Sequence, residues 1–177
     1  MNTIFKRLPL TGAMLSLALS LFLSSPVLAG GDHSHHGGMH KSATSQVNSL
    51  TVYKSASCGC CKKWISHLKE NGLKVSFENS QQMSIIKDKH GIDKQYRSCH
   101  TGISQDGYVF EGHIPARYIK KFLKEKPANA IGLAVPAMPV GSPGMEHKNK
   151  FMPYQVLQLN KDGSSQVYAK INNDFQQ

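Results

Sequence analysis

Four cysteines are the residues of this sequence best suited to chemistry, and three of them stand close together. Cys58, Cys60 and Cys61 form a Cys-Gly-Cys-Cys run, in which the outer pair has the CxxC spacing. The fourth, Cys99, is followed directly by His100. Thiolates attack disulfides, and together with imidazoles they bind soft or borderline metals such as copper(I) and zinc. The pattern therefore predicts metal binding or thiol redox chemistry.

The elements around the cysteines predict an α/β domain of the thioredoxin or glutaredoxin type. Apolar periodicity and turn residues indicate a strand over 50–53, helix over 61–71, strand over 73–77, helix over 81–90, hairpin over 101–104 and 108–111, and helix over 115–124. In that fold a cysteine pair stands where the first strand gives way to the first helix. Backbone amides and the helix dipole favour the thiolate there.

The turn before the predicted hairpin, residues 97–101, faces the cysteine pair in such folds and normally carries a cis-proline. Here it carries Cys99 and His100 instead. Four thiolates and an imidazole exceed the needs of one tetrahedral ion, so a multinuclear, thiolate-bridged copper(I) cluster is one prediction. A single zinc ion, with one thiol left over, is the alternative.

Further candidate ligands lie in the second half of the chain. His113 either completes the site or caps the helix that follows it. Residues 127–153 are rich in proline and glycine and predict an ordered but irregular loop. Met138 and Met145 in this loop either fill gaps in the core or offer thioether ligands from a flap over the cysteines. His67 and His90 are expected to be ordinary surface or packing residues.

Both ends of the chain add segments to the predicted domain. Residues 154–159 and 166–171 alternate in polarity around a Lys-Asp-Gly turn and predict a C-terminal β-hairpin. Residues 1–29 predict a signal peptide, because Lys6 and Arg7 precede an apolar stretch and a small-residue cleavage pattern ends at Ala29. An uncleaved membrane anchor is the alternative, and no later segment is apolar enough to span a bilayer. We expect export to the periplasm.

Residues 30–49 predict a flexible, His-rich tail ahead of the folded domain at 50–177. The tail holds four histidines in a short Gly- and Ser-rich run, and such tracts commonly bind metal. A low-complexity spacer is the alternative. The candidate secondary site consists of His33, His35, His36 and His40.

The net charge of +10 raises the question of nucleic acid. The lysines are scattered along the chain without an aromatic-interleaved basic motif, so nucleic acid is not an expected partner. The charge is interpreted as solvated surface, or at most as a weak affinity for anionic membrane.

Residues 50–171 resemble the CopG-type copper-resistance family, exported metal-binding proteins long catalogued as a domain of unknown function. The resemblance rests on four motifs, Cys58-Gly59-Cys60-Cys61, Ser98-Cys99-His100-Thr101, Glu111-Gly112-His113-Ile114-Pro115 and Met138-Pro139-Val140-Gly141-Ser142-Pro143-Gly144-Met145-Glu146. It implies a thioredoxin-like fold holding a copper cluster on Cys58, Cys60, Cys61 and Cys99. It also implies a role in copper handling and a capacity to cycle between copper(I) and copper(II).

Three classes of function follow from these observations. The first is a copper-binding resistance protein that sequesters copper or passes it to transfer or efflux partners. The second is a copper or thiol-disulfide oxidoreductase, with Cys58 attacking and Cys61 resolving. The third is a zinc-stabilised structural domain, which leaves the methionines and the His-rich tail without a role.

Overall fold

The computed structural model describes residues 49–177, which form one mixed sheet carrying helices. In chain order the elements are β1 (Ser49–Lys54), α1 (Gly59–Glu70), β2 (Lys74–Asn79), α2 (Met83–Lys89), a 3-10 turn (Lys94–Tyr96), β3 (His100–Ser104), β4 (Val109–Glu111), α3 (Ala116–Glu125), β5 (Ala130–Ala134), β6 (Tyr154–Asn160), β7 (Ser165–Ile171) and a last 3-10 turn (Asp174–Gln176). The predicted α/β class is confirmed.

The seven strands lie in the order β2-β1-β3-β4-β5-β6-β7. Strand β1 is parallel to β2 and antiparallel to β3, and β4 is antiparallel to β3 but parallel to β5. The last residue of β1, Lys54, is paired with the first residue of β3, His100. The loop after β1 and the turn before β3 therefore meet at the same end of these two neighbouring strands.

Helices α1 and α3 supply much of the core because their apolar residues recur at helical spacing. Trp64 and Leu68 of α1 and Ile119 and Phe122 of α3 are fully buried. Burying a large apolar side chain contributes about 1.5–3 kcal/mol. The Trp64 indole also donates to the Ile114 carbonyl oxygen at 2.8 Å, which fixes α1 against the segment before α3.

The start of α3 is capped by a side chain from α1. Pro115, at the N-cap position, provides no capping side chain. The first free backbone N–H, that of Ala116, instead donates to His67 Nε2 at 3.0 Å. An imidazole can accept this bond only when it is neutral. His67, predicted to be an ordinary residue, thus joins two helices.

The prediction of an irregular loop over residues 127–153 is wrong at its start, where β5 lies. The run Ala-Ile-Gly-Leu-Ala is apolar and is buried between β4 and β6. A side chain at Gly132 would collide with the Val109 carbonyl, so glycine is required for this strand pairing. The high proline and glycine content of the segment thus hid a short buried strand, whereas the rest of the segment is largely irregular. The predicted C-terminal hairpin, which follows this segment, is confirmed.

The predicted signal peptide (1–29) and nearly all of the predicted tail (30–49) lie outside the described residues. The candidate tail ligands His33, His35, His36 and His40 are therefore not described either. Ser49 is the first residue of β1, one residue before the predicted start of this strand. Within residues 49–177, no helix is both long and apolar enough to cross a membrane.

Candidate metal centre

The Cys-Gly-Cys-Cys run lies at the N-terminus of α1. Cys58 is the N-cap residue, and its sulfur accepts the Cys61 backbone N–H at 3.3 Å. Cys58 and Cys61 are joined by a disulfide, whereas Cys60 is a free, half-buried cysteine. The helix begins at Gly59, two residues before the predicted start, so all three cysteines belong to its first turn or its cap.

Cys99 reaches this turn from the opposite side because β1 pairs with β3. Its sulfur lies 3.5 Å from Cys61 Sγ and 3.9 Å from Cys60 Sγ, and Cys60 Sγ lies 3.6 Å from Cys58 Sγ. All four sulfurs fall within 4.8 Å of one another. With a metal–sulfur bond of about 2.3 Å, two sulfurs on one tetrahedral ion are separated by about 3.8 Å. The spacing of the non-bonded sulfur pairs therefore suits thiolates that share metal ions once the Cys58–Cys61 disulfide is reduced.

Two imidazoles extend the group on the Cys99 side. His100 Nδ1 lies 3.4 Å and His113 Nε2 lies 3.8 Å from the Cys99 sulfur. The opposite nitrogen of each ring faces a backbone carbonyl: His100 Nε2 donates to Gly112 at 3.0 Å, and His113 Nδ1 donates to Pro143 at 2.8 Å. A carbonyl only accepts, so each ring holds its proton there and leaves the nitrogen facing Cys99 unprotonated. Metal-binding histidines are commonly oriented in this way.

Electrostatics keep both histidines neutral. Burial places the pKa of His100 well below its ordinary value, and the neighbouring His113 lowers it further. Burial also lowers the pKa of His113, against the opposing effects of the Pro143 hydrogen bond and Glu146. Each ring thus presents a lone pair rather than a proton toward the sulfurs.

The Cys99 thiol is protonated at neutral pH. Burial, followed by the charge of Cys60, raises the pKa of Cys99 to about 11. A metal ion must therefore displace the Cys99 proton when it binds, because the ligand is the thiolate.

A buried ion pair holds the Cys99 segment in place. Glu111, fully buried at the end of β4, accepts hydrogen bonds from Lys87 Nζ, the Ser98 backbone N–H and Thr101 Oγ1. Burial raises the pKa of Glu111, whereas the Lys87 charge opposes that rise. The carboxylate therefore ties both sides of the Cys99–His100 pair to β4 and α2.

This clamp was not among the predicted features of the site. A role for Glu111 could have been predicted from the sequence, because it is a charged residue at the end of an otherwise apolar strand segment. The burial of Lys87 could not, because a lysine in a short helix is ordinarily solvated.

The loop after β5 covers the first turn of α1. Gly144, at φ 88°, packs so closely that a Cβ there would lie 2.8 Å from the Cys60 carbonyl oxygen. Met145 is half-buried and lines a cavity together with Cys60, whereas Met138 lies on the same loop with 49% of its surface exposed. Of the two predicted thioether ligands, the structure thus brings Met145 to the cysteine turn and leaves Met138 at the surface.

Comparison with known proteins gives a consistent set of matches. A family model described as "Protein of unknown function, DUF411" matches residues 96–145. Two solved structures, both named "Copper resistance protein copG" (Form 1 and Form 2), are 44% identical to this chain and cover 70% of it. The chain covers 96% and 97% of them, with TM-scores of 0.65 and 0.66. No curated protein sequence matches the chain.

Proposed function

The chain belongs to the DUF411 family that includes the copper resistance protein CopG, and from this premise we propose that it binds copper through its Cys/His group. The observation that carries the proposal is the meeting of four sulfurs within 4.8 Å. His100 and His113 direct unprotonated nitrogens at the same Cys99 sulfur. Soft thiolates and neutral imidazoles together suit copper.

The bound form in this proposal is copper(I) in a thiolate-bridged, multinuclear cluster. Thiolates select copper(I), and four thiolates with two imidazoles provide more donors than one tetrahedral ion accepts. A cluster in which sulfurs bridge several copper ions uses all of these donors. The ligands are Cys58, Cys60, Cys61, Cys99, His100 and His113.

The scaffold in this proposal is a thioredoxin-like domain extended by β5, β6 and β7. Support comes from the order β2-β1-β3-β4, in which β1 and β2 are parallel and β3 is antiparallel to both neighbours. The cysteines also lie at the junction of β1 and α1, where that fold carries its cysteine pair.

Assembly of the full four-thiolate cluster requires reduction of the Cys58–Cys61 disulfide. Two electrons and two protons from an external thiol reductant convert the bond to two thiols. Copper(I) then replaces the thiol protons, including that of Cys99, and these protons leave to solvent. Cys99 and the two histidines stay in place during this step, since the Glu111 clamp and the two carbonyl hydrogen bonds do not involve the disulfide.

The cellular role in this proposal is copper resistance in the periplasm. The positively charged start and apolar stretch of residues 1–29 support export, and the histidines of residues 30–49 support capture of copper ahead of the domain. Copper-transfer or efflux proteins are the proposed partners. The name of the 44% identical relatives, copper resistance protein, supports this role.

Competition between metals tests the proposal. The purified, reduced protein is mixed anaerobically with equal amounts of copper(I) and zinc, and bound metal is counted after desalting. We expect copper to be retained and zinc to be displaced. Retention of zinc in the presence of copper would instead support a zinc-stabilised structural domain, and retention of neither metal would remove the metal-binding proposal.

A thiol-disulfide oxidoreductase is the second candidate function. It is favoured by the Cys58–Cys61 disulfide at a helix N-terminus, where Cys58 accepts a backbone N–H. Reduction of insulin disulfides by the prereduced protein would support this activity. The Cys60→Ser variant separates the two functions, because Cys60 is outside the exchanging pair: reductase activity would persist, whereas copper content would fall.

A further inference from the structure

A cavity of about 510 Å³ lies between the first turn of α1 and the loop after β5. The helix contributes Cys60 and Lys63 to its wall, and the loop contributes Met145, Glu146 and His147. One cysteine of the metal centre thus shares a cavity with a methionine and a histidine that have no part in the six-ligand group described above.

The donors in this cavity differ in their access to solvent. His147 is exposed, whereas Met145 and Cys60 are half-buried. Cys60 Sγ is in turn 3.6 Å from Cys58 Sγ and 3.9 Å from Cys99 Sγ. An imidazole therefore lies at the surface, and the softer sulfur donors lie deeper. Copper(I) binds more strongly to soft donors, so this arrangement favours inward movement of the ion.

The wall that carries Met145 is fixed to α1. Gly144 is in van der Waals contact with the helix backbone at Cys60 and Trp64, which leaves no room for a side chain. The Gly144 N–H donates to Glu146 Oε1 at 2.6 Å, and the Met145 N–H donates to the Ser142 carbonyl at 2.7 Å. Met145 and Cys60 thus line one preformed cavity.

We propose that this cavity is the port through which copper(I) reaches Cys60, with His147 and Met145 as transfer ligands. The inference rests on the proposed copper-binding function. Each step is a ligand exchange without change of oxidation state: a bond from copper to its donor is replaced by a bond to His147 or Met145. The Cys60 thiolate then displaces that ligand, and any thiol proton leaves to solvent.

The charge around the port indicates which copper complex it accepts. Lys63 lines the cavity, the exposed Lys62 and Lys148 are sequence neighbours of lining residues, and Lys150 is bridged to His147 through the backbone. Glu146 is an acidic residue that also lines the cavity, and its carboxylate accepts a hydrogen bond from the Gly144 N–H. A cationic rim attracts anions and raises their association rate. The substrate class is therefore an anionic copper(I) complex, such as a bis-thiolate, rather than the aquated cation.

Stopped-flow transfer from the anionic copper(I)–bis(bicinchoninate) complex tests the port. The reduced protein is compared with Met145→Leu and His147→Asn, and the decay of the complex colour is followed anaerobically. Met152→Leu is the matched control, because Met152 is an exposed methionine on the same loop and does not line the cavity. We expect both port variants to slow transfer by about tenfold, the scale of a lost supporting ligand. The final copper per chain and the control rate should be unchanged.

Other outcomes overturn the inference in distinguishable ways. A lower final copper content in Met145→Leu would make Met145 a ligand of the cluster rather than of the port. Port variants as fast as the control would show that copper reaches Cys60 by another route. A wild-type protein that takes up no copper would overturn the proposed function itself. Lys63→Glu should slow transfer from the anionic complex, and faster transfer would contradict the assigned substrate class.

Discussion

Cys61 Sγ lies 3.5 Å from Cys99 Sγ, although 38 positions separate the two residues in the chain. The contact exists because the end of β1 pairs with the start of β3, which sets the first turn of α1 against the residue before β3. The N-terminus of α1 thus positions three of the sulfurs, and the pairing of β1 with β3 positions the sulfur of Cys99. Replacements that disturb either element are expected to disturb the metal centre.

The close approach of Gly144 to α1 can be tested by Gly144→Ala. The methyl group would strain a positive φ and meet the Cys60 carbonyl and the Trp64 N–H at 2.8 Å. Gly163→Ala is the matched control, since Gly163 has φ 83° but nothing within 4 Å of the added Cβ. We expect Gly144→Ala to lower the free energy of unfolding by about 1–3 kcal/mol more than the control, the usual range for overpacking. Equal losses in urea unfolding would refute a tight contact.

The buried Lys87–Glu111 pair is expected to be important for stability. Lys87→Met leaves the Glu111 carboxylate buried without its cation and should cost about 3–5 kcal/mol in urea unfolding. Lys121→Met, which breaks an exposed ion pair with Glu125, is the control and should have little effect. Similar losses in the two variants would show that the buried pair has no special role.

Removing the carboxylate charge should affect the metal centre directly. Glu111→Gln keeps an oxygen for Ser98 or Thr101 but weakens the clamp on Cys99. We expect weaker copper(I) binding at unchanged secondary structure, measured by competition with a chromophoric chelator and by circular dichroism. Wild-type copper affinity in this variant would mean that Cys99 is held without Glu111.

Because His67 caps α3 only when its ring is neutral, part of the free energy of unfolding should depend on pH. Burial lowers the pKa of His67 below its usual 6.5, so the folded state favours the neutral ring that accepts the Ala116 N–H. This stabilisation is complete above the unfolded-state pKa and is lost as the pH falls below it.

His67→Gln keeps an acceptor that does not titrate, so it isolates this part of the pH dependence. Between about pH 7.5 and pH 5, wild type should lose more unfolding free energy than His67→Gln. His67→Ala should cost about 1 kcal/mol at the upper pH, as for a lost cap. Parallel pH profiles for wild type and His67→Gln would contradict the capping role.

Loading should depend on the state of the Cys58–Cys61 disulfide. In the oxidised chain, Cys60 and Cys99 are the free thiols, so two of the four proposed sulfur ligands are blocked. We expect copper(I) per chain to rise after anaerobic reduction and removal of the reductant. Thiol counting before and after treatment is the control. Equal copper content in both forms would place the site elsewhere.

Local sequence patterns were sufficient to predict the order of most helices and strands and the C-terminal hairpin. The order of elements placed Cys99 and His100 opposite the CxxC run, because strand and helix periodicities and the Asp-Gly turn are local signals. The structure does bring these residues together. The hairpin of β6 and β7 followed in the same way from alternation around a turn.

Features that depend on tertiary contacts were missed. Lys87 meets Glu111 only after α2 packs near β4, and His67 caps a helix that begins 49 positions later. Strand β5 is short and interrupted by Gly132, so its burial between two neighbours outweighs a weak local signal. Two methionines of one loop looked equivalent in sequence, yet Met145 faces a cavity and Met138 is exposed.

Anaerobic titration of the reduced protein with copper(I), in wild type and Cys99→Ser, tests the central claim most directly. Thiolate-to-copper absorption and bound copper per chain are followed together. A cluster shared by the α1 turn and the segment before β3 predicts more than one copper per chain in wild type and a clear decrease in the variant. One copper or none, with no effect of Cys99→Ser, would contradict a copper centre that spans the two elements.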